Sequence, residues 1–217
     1  GVFKKTVVSL DARECLMTVA WPGVPAELGL RLNPQQEQQL QQYLELLQRW
    51  NKVYNLTAVR DPAQMLPLHL WDSLSVVPFI EAEHCLDVGS GAGLPGIPLA
   101  IMRPQQQFTL LDTNGKKTRF IQQAALELGL TNLKVVQKRV EQWQPEQQFA
   151  AIISRAFASL ADFVTVSGIH LQAQGRLYAM KGRYPESEIA ELPQGWSVAG
   201  SHQLIVPGLD AERHLLE

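Results

Sequence analysis

The chain has 217 residues, 46% of them hydrophobic, enough to bury a full core in one domain with an appendage. A formal net charge of −2 excludes a globally basic nucleic-acid coat and leaves room only for a local basic patch. No run approaches the roughly 18 apolar residues of a membrane span, and Lys4, Lys5, Asp11, Arg13 and Glu14 interrupt any signal-peptide core. Two cysteines, Cys15 and Cys85, give neither a disulfide framework nor a zinc site. A cytoplasmic monomer without metal is the expectation.

Residues 1–32 mix lysines, prolines and glycines without a period and read as an irregular, loosely attached lead-in; Met17 is a candidate natural start. Asn33 and Pro34 then make an N-cap and first-turn pair, and Leu40, Tyr43, Leu44, Leu47 and Trp50 follow at helical spacing. The opposite face, rich in glutamine, is solvated, and a polar break is predicted at 51–55. Asp61 and Pro62 start a short helix towards His69, Trp71 and Asp72. Residues 33–80 thus form a helical extension preceding a domain at 81–217.

The first strand, around Cys85, Leu86 and Val88, runs into Gly89, Gly91, Gly93 and Gly96, with Pro95 and Pro98 suited to a helix's first turn. Further strands are predicted at 108–111, 133–136, 149–153, 175–180, 203–206 and 213–216. Helices are predicted from Leu94 to near Arg103, at 116–128 before Gly129, at 160–171 and near 187–192. Alternating strands and helices mean an α/β fold with a mostly parallel seven-stranded sheet and its ligands at the strands' carboxyl ends.

A strand, a glycine turn and a helix N-terminus make a cradle for a nucleotide-like ligand. Gly91, Gly93 and Gly96 satisfy G-x-G-x-x-G, but that motif alone does not choose the ligand. Asp87 does. Two residues before the first glycine, a carboxylate accepts from an ammonium but repels a pyrophosphate, which favours S-adenosylmethionine over a dinucleotide. Asp112, closing the second strand, is placed to take two ribose hydroxyls. The competing reading makes Asp87 a capping acid and Asp112 a helix N-cap.

Trp50-Asn51-Lys52 with Asn55-Leu56-Thr57, His69 with Asp72-Ser73, the D-V-G-S-G-A-G-L-P-G block from Asp87, Ser154-Arg155-Ala156 and Lys181-Gly182 occur in an order and spacing that resembles the RsmG (GidB) family of bacterial 16S rRNA guanine-N7 methyltransferases. The resemblance spans about Pro34 to Leu215. It implies a class I, Rossmann-like methyltransferase fold with an N-terminal helical extension, S-adenosylmethionine as donor, and N7 of one guanine in a 16S rRNA hairpin loop as target. It also implies that Gly89, Leu94, Val140, Glu141 and Arg155 contact the cofactor.

The chemistry agrees. Guanine N7 carries an in-plane lone pair and no proton, so it attacks a sulfonium methyl without a general base. Cytosine C5 chemistry needs a cysteine at the strand carboxyl ends, whereas Cys85 lies at its strand's amino end. Exocyclic-amine methylases carry an Asn/Asp-Pro-Pro-aromatic segment after the fourth strand, where this chain has Ser154-Arg155-Ala156-Phe157. Arg155 and Lys181 are the candidate positioning residues of catalysis. They hold an RNA phosphate or the guanine O6, or else pair with a pocket acid such as Asp87 or Asp112. Lys116, Lys117, Arg119, Lys134, Lys138 and Arg139 concentrate positive charge for RNA, naked or in a small-subunit particle, although some would lie on an ordinary solvated face. Phe157 suits stacking on an extruded base or core packing. His69 and Asp72 read as a pair with each other, and Tyr43 and Trp50 as cap core.

Overall fold

A computed structural model describes residues 20–217, so Cys15, Met17 and the other expectations for residues 1–19 lie outside it. Helix α1 (Pro34–Tyr54) starts with a reciprocal capping box: Asn33 Oδ1 accepts from the Gln36 N–H while Gln36 Oε1 accepts from the Asn33 N–H. Its apolar stripe, with Leu40, Tyr43, Leu44 and Leu47, is buried as expected. The predicted break at 51–55 does not occur. Asn51 is buried because its side chain serves the following loop, accepting from the Thr57 N–H and donating to the Val59 carbonyl, and the helix stops only at Asn55 (φ 52). The glutamine face is not merely solvated either: Gln36 and Gln39 donate to the carbonyls of Ile101 and Leu128.

Asp61 caps α2 (Pro62–Met65), which passes through a π-helical turn (Leu66–Trp71) into α3 (Asp72–Leu74). Pro67, lacking an N–H, breaks the regular ladder there. The lead-in is not loose over its described part. Trp21 packs on Trp71 with ring centroids 5.7 Å apart and donates to Glu37, and Leu28, Leu30 and Leu32 pack against the core.

The sheet strands are β1 (His84–Val88), β2 (Gln107–Asp112), β3 (Leu133–Gln137), β4 (Phe149–Ser154), β5 (Leu171–Lys181), β6 (Ser201–Gln203) and β7 (His214–Leu216). Their order is β3-β2-β1-β4-β5-β7-β6, with β7 antiparallel to both neighbours. Helices α4 (Gly96–Met102) and α5 (Gly115–Leu128) pack with α1 on one face, and α6 (Leu160–Ser167) and α7 (Glu186–Ala190) cover the other. The strands alternate between two apolar cores: Cys85, Leu110 and Ile153 face the first, Leu86, Leu111 and Ile152 the second. Two boundaries differ from expectation. The helix predicted to reach residue 171 ends at Ser167, before a 3-10 turn (Gly168–His170), and β5 starts four residues earlier than predicted because its first half pairs with β4 across a bulge. Strand β6 lies at Ser201–Gln203, ahead of the apolar run that suggested 203–206.

Candidate active site

β1 ends in Asp87 and turns through Gly89 and Ser90, whose N–H groups both donate to the Leu111 carbonyl and so tie the loop to β2. Gly89 has φ 69, and a Cβ there would stand 2.6 Å from Ala156 Cβ, so only glycine fits between the ends of β1 and β4. Gly91 also has positive φ (60), but its Cβ position opens on space with no atom within 4 Å, which leaves the turn accessible from outside. Gly93 and Leu94 donate to the Ser90 carbonyl, and Leu94 is buried beneath the turn. The phenol of Tyr43 donates to the Ala92 carbonyl at 2.7 Å, so α1 is bolted to the loop it covers. Tyr43 is cap core, as expected, with this second duty added.

Asp87 is 1% exposed. Its Oδ2 accepts from Ser90 Oγ at 2.7 Å and from the Gly96 N–H at 2.9 Å, the first free amide of α4, so it does serve as a capping acid. Its Oδ1 is also buried and has no hydrogen-bond partner among the described residues. Burial raises the Asp87 pKa to about 7, a shift moderated by the Ser90 and Gly96 hydrogen bonds and the Arg155 charge. Asp112 spreads its oxygens over two backbone donors, Oδ2 accepting from Gly91 N–H at 2.8 Å and Oδ1 from Asn114 N–H at 2.9 Å. It is not the cap of α5: Asn114 is, accepting from the N–H groups of Lys116 and Lys117.

Beside Asp112 lies a cleft of about 250 Å³ lined by Gly89, Val140, Glu141, Lys138 and Arg139 among others. Five residues singled out by different arguments in sequence therefore share one wall. Lys138 and Arg139 are exposed at its mouth; Lys116, Lys117 and Arg119 stand on the first turns of α5, with the Arg119 Nε–H donating to the Gly115 carbonyl. Lys134 is exposed in the middle of β3, away from that mouth. Phe157 lines the cleft and packs on Phe163 at 5.1 Å, which favours its core reading.

Arg155 and Lys181 are both paired, but not with Asp87 or Asp112. Arg155 donates to Asp72 Oδ2 and the Leu68 carbonyl at 3.2 Å each, and to His69 Nδ1 at 3.0 Å. Asp72 also receives a bidentate grip from Arg213, at 2.7 and 3.0 Å. His69 and Asp72 thus do not bond each other; both hold Arg155. Burial and the Arg155 guanidinium push the His69 pKa down to about 4, so the ring is neutral, accepting at Nδ1 and donating from Nε2 to Thr57 Oγ1 at 2.7 Å. Lys181 donates to Glu188 at 2.8 Å and to the carbonyls of Phe157 and Ala158, fastening the β4–α6 loop. Arg213, Thr57 and Ser90 escaped sequence reasoning. Ser90 had a readable signal, a hydroxyl three residues after Asp87; Arg213 lies 141 positions from Asp72 and had none.

The family model described as rRNA small subunit methyltransferase G matches residues 36–216. The chain belongs to that family. Proteins called ribosomal RNA small subunit methyltransferase G from Marinobacter nauticus and Pseudomonas aeruginosa are 54% and 55% identical, over 90% and 88% of this chain and 94% and 89% of their own. Among solved structures, TrmN from Thermus thermophilus aligns with TM-score 0.52 at 17% identity, over 78% of this chain and 52% of its own. Coclaurine N-methyltransferase bound to S-adenosylhomocysteine aligns with TM-score 0.53 at 12% identity, over 80% and 68%. At those identities the likeness establishes the class I methyltransferase fold. Membership of the methyltransferase G family makes the chain a methyltransferase.

Proposed function

We propose that this protein transfers the methyl group of S-adenosylmethionine to N7 of one guanine in a loop of bacterial 16S rRNA, acting in the cytoplasm as a monomer. The observation that carries the cofactor reading is the buried Oδ1 of Asp87, unpartnered among the described residues, beside a glycine turn. A buried carboxylate oxygen without a donor is costly, and the ammonium of a methionine moiety supplies that donor. Asp112 keeps acceptor capacity on both oxygens after taking two amides, enough for a ribose diol. Val140 and Glu141 line the cleft beside Asp112, which suits them to hold the cofactor's adenine. The residues fit the cofactor, which when bound supplies a sulfonium-activated methyl.

The chain's own contribution is positioning. Guanine N7 needs no proton removed, so no residue acts as general base and no metal is called for; what remains is to fix distance and in-line angle. Arg155 retains N–H groups beyond its three bonds to the cap, and these suit guanine O6 or a phosphate. Lys181 holds the β4–α6 loop through Phe157 and Ala158 and positions the wall that Arg155 begins. Lys138 and Arg139 line the cleft, Lys116, Lys117 and Arg119 stand on the first turns of α5, and all five suit the RNA backbone. Residues 33–80 serve as a cap packed on 81–217 as one unit.

The test is transfer of labelled methyl groups from S-adenosylmethionine to 16S rRNA or small ribosomal subunits, followed by reduction and aniline scission, which cuts at 7-methylguanine. Label at one guanine that becomes the scission site is expected. Label elsewhere, or none on any precursor form, would refute the reading.

A further inference from the structure

Beyond Lys181 the chain leaves the sheet's carboxyl rim in a short rigid turn, Gly182-Arg183-Tyr184-Pro185. His214 Nδ1 bonds the Gly182 carbonyl at 2.7 Å, Pro185 is buried, and Lys181 grips Glu188 of α7. Tyr184 nevertheless keeps 44% of its surface exposed. Its ring packs edge-to-face with His214, at 5.9 Å between centroids and 74° between planes, and it is in no stacked pair among the described residues. Arg183 beside it is exposed. A part-exposed aromatic ring with no stacking partner among the described residues, on an anchored turn beside a guanidinium, costs the free protein apolar exposure, and it matches what binds an unstacked nucleobase.

The turn also belongs to the rim of the active site. Through Lys181 Nζ, the turn carrying Tyr184 is tied to the loop carrying Phe157 and Ala158, which begins at Arg155. The loop carrying Phe157 lines the cleft through that residue, and the turn carrying Tyr184 follows the carboxyl end of β5, the neighbour of β4 in the sheet. Of the aromatic residues on these two loops, Phe157 is committed to Phe163, and Tyr184 alone is exposed. We propose that Tyr184 is a nucleobase-stacking platform that holds the RNA loop, with the target guanine or its neighbour on the phenol face and Arg183 on the flanking phosphate. The inference rests on the rRNA methyltransferase reading and names a residue for its substrate side.

The experiment compares wild type with Tyr184→Ala, Tyr184→Phe and Tyr184→Trp in three measurements: affinity for deproteinised 16S rRNA, kcat/KM for methyl transfer to RNA, and S-adenosylmethionine affinity by calorimetry. Stacking predicts that Tyr184→Ala loses about 10- to 100-fold in RNA affinity and in kcat/KM, that the aromatic variants stay within a few-fold of wild type, and that cofactor affinity does not move. An alanine variant that binds and turns over RNA like wild type overturns the proposal. So does an equal loss in Tyr184→Phe, which would assign the hydroxyl instead. A parallel loss of cofactor affinity would make Tyr184 a structural residue. If wild type methylates no RNA, the parent reading fails first, and that blank reference is distinct from any variant effect.

Discussion

The two sides of the site are built on opposite plans. Around Asp87, Gly91 and Asp112 the cofactor side is made of local parts: a strand end, a turn and the first amide of α4, with the side-chain bonds of both acids within 21 positions in sequence. The side carrying Arg155 and Lys181 is made of charged side chains already engaged. Asp72 holds Arg155 from 83 positions away and Arg213 from 141. A backbone cradle with one orphan oxygen is waiting for a donor, whereas a cluster of two guanidiniums on one carboxylate keeps a surplus positive charge for an anionic substrate. The cofactor side should therefore fail through sterics and the substrate side through electrostatics.

The largest effect should come from Gly91→Val. A β-branched residue at φ 60 is strained and projects into the open space of the turn. Calorimetry should show loss of S-adenosylmethionine binding by more than about 100-fold, while circular dichroism stays native. Retained affinity would place the cofactor elsewhere.

Next comes Asp72→Asn, which leaves two arginines around an uncharged amide. Breaking a buried pair costs about 3–5 kcal/mol; with Arg155 and Arg213 side chains 22% and 19% exposed, the lower end of that range applies. A urea midpoint lowered accordingly is expected, with RNA turnover falling further than cofactor affinity. Equal loss of both would erase the distinction between the two sides.

The smallest effect belongs to the basic first turn of α5, where Lys116 is exposed and Lys117 half-buried. Reversing Lys116 and Lys117 to Glu should weaken 16S rRNA binding and flatten its dependence on log salt by about one unit for each phosphate no longer neutralised, leaving cofactor affinity unchanged. An unchanged salt slope would make those lysines ordinary solvent-facing residues.

The same contrast explains what could be read from sequence. Asp87, the glycines, Asp112 and the parallel order of β1 to β5 announce themselves, because turns, caps and strand ends are written in neighbouring residues. The helical stripe of α1 was legible for the same reason. Its extension through Asn51 was not, since that polar side chain is satisfied by Thr57 and Val59 in a loop whose path no local pattern discloses. The partners of Arg155 and Lys181 were misjudged for the same kind of reason. Asp87 and Asp112 are the obvious acids, but Asp72 and Glu188 are the near ones only after α3 and α7 fold onto the rim. Tyr184 carries no local signal that separates it from a core aromatic residue; its 44% exposure in the fold does.

Titrating S-adenosylmethionine against wild type and Asp87→Asn between pH 5.5 and 7 tests most directly whether the cradle's buried acid takes the cofactor's ammonium. With the Asp87 pKa raised to about 7, the free protein carries the proton through most of that range. The cofactor's α-ammonium stays charged there, and pairing with it favours the carboxylate, so binding releases the proton. Wild-type affinity should rise towards about tenfold per pH unit at the acid end and level off near pH 7. Asp87→Asn should bind more weakly, with no such slope. A flat wild-type profile, or a slope that survives in Asp87→Asn, would contradict the assignment.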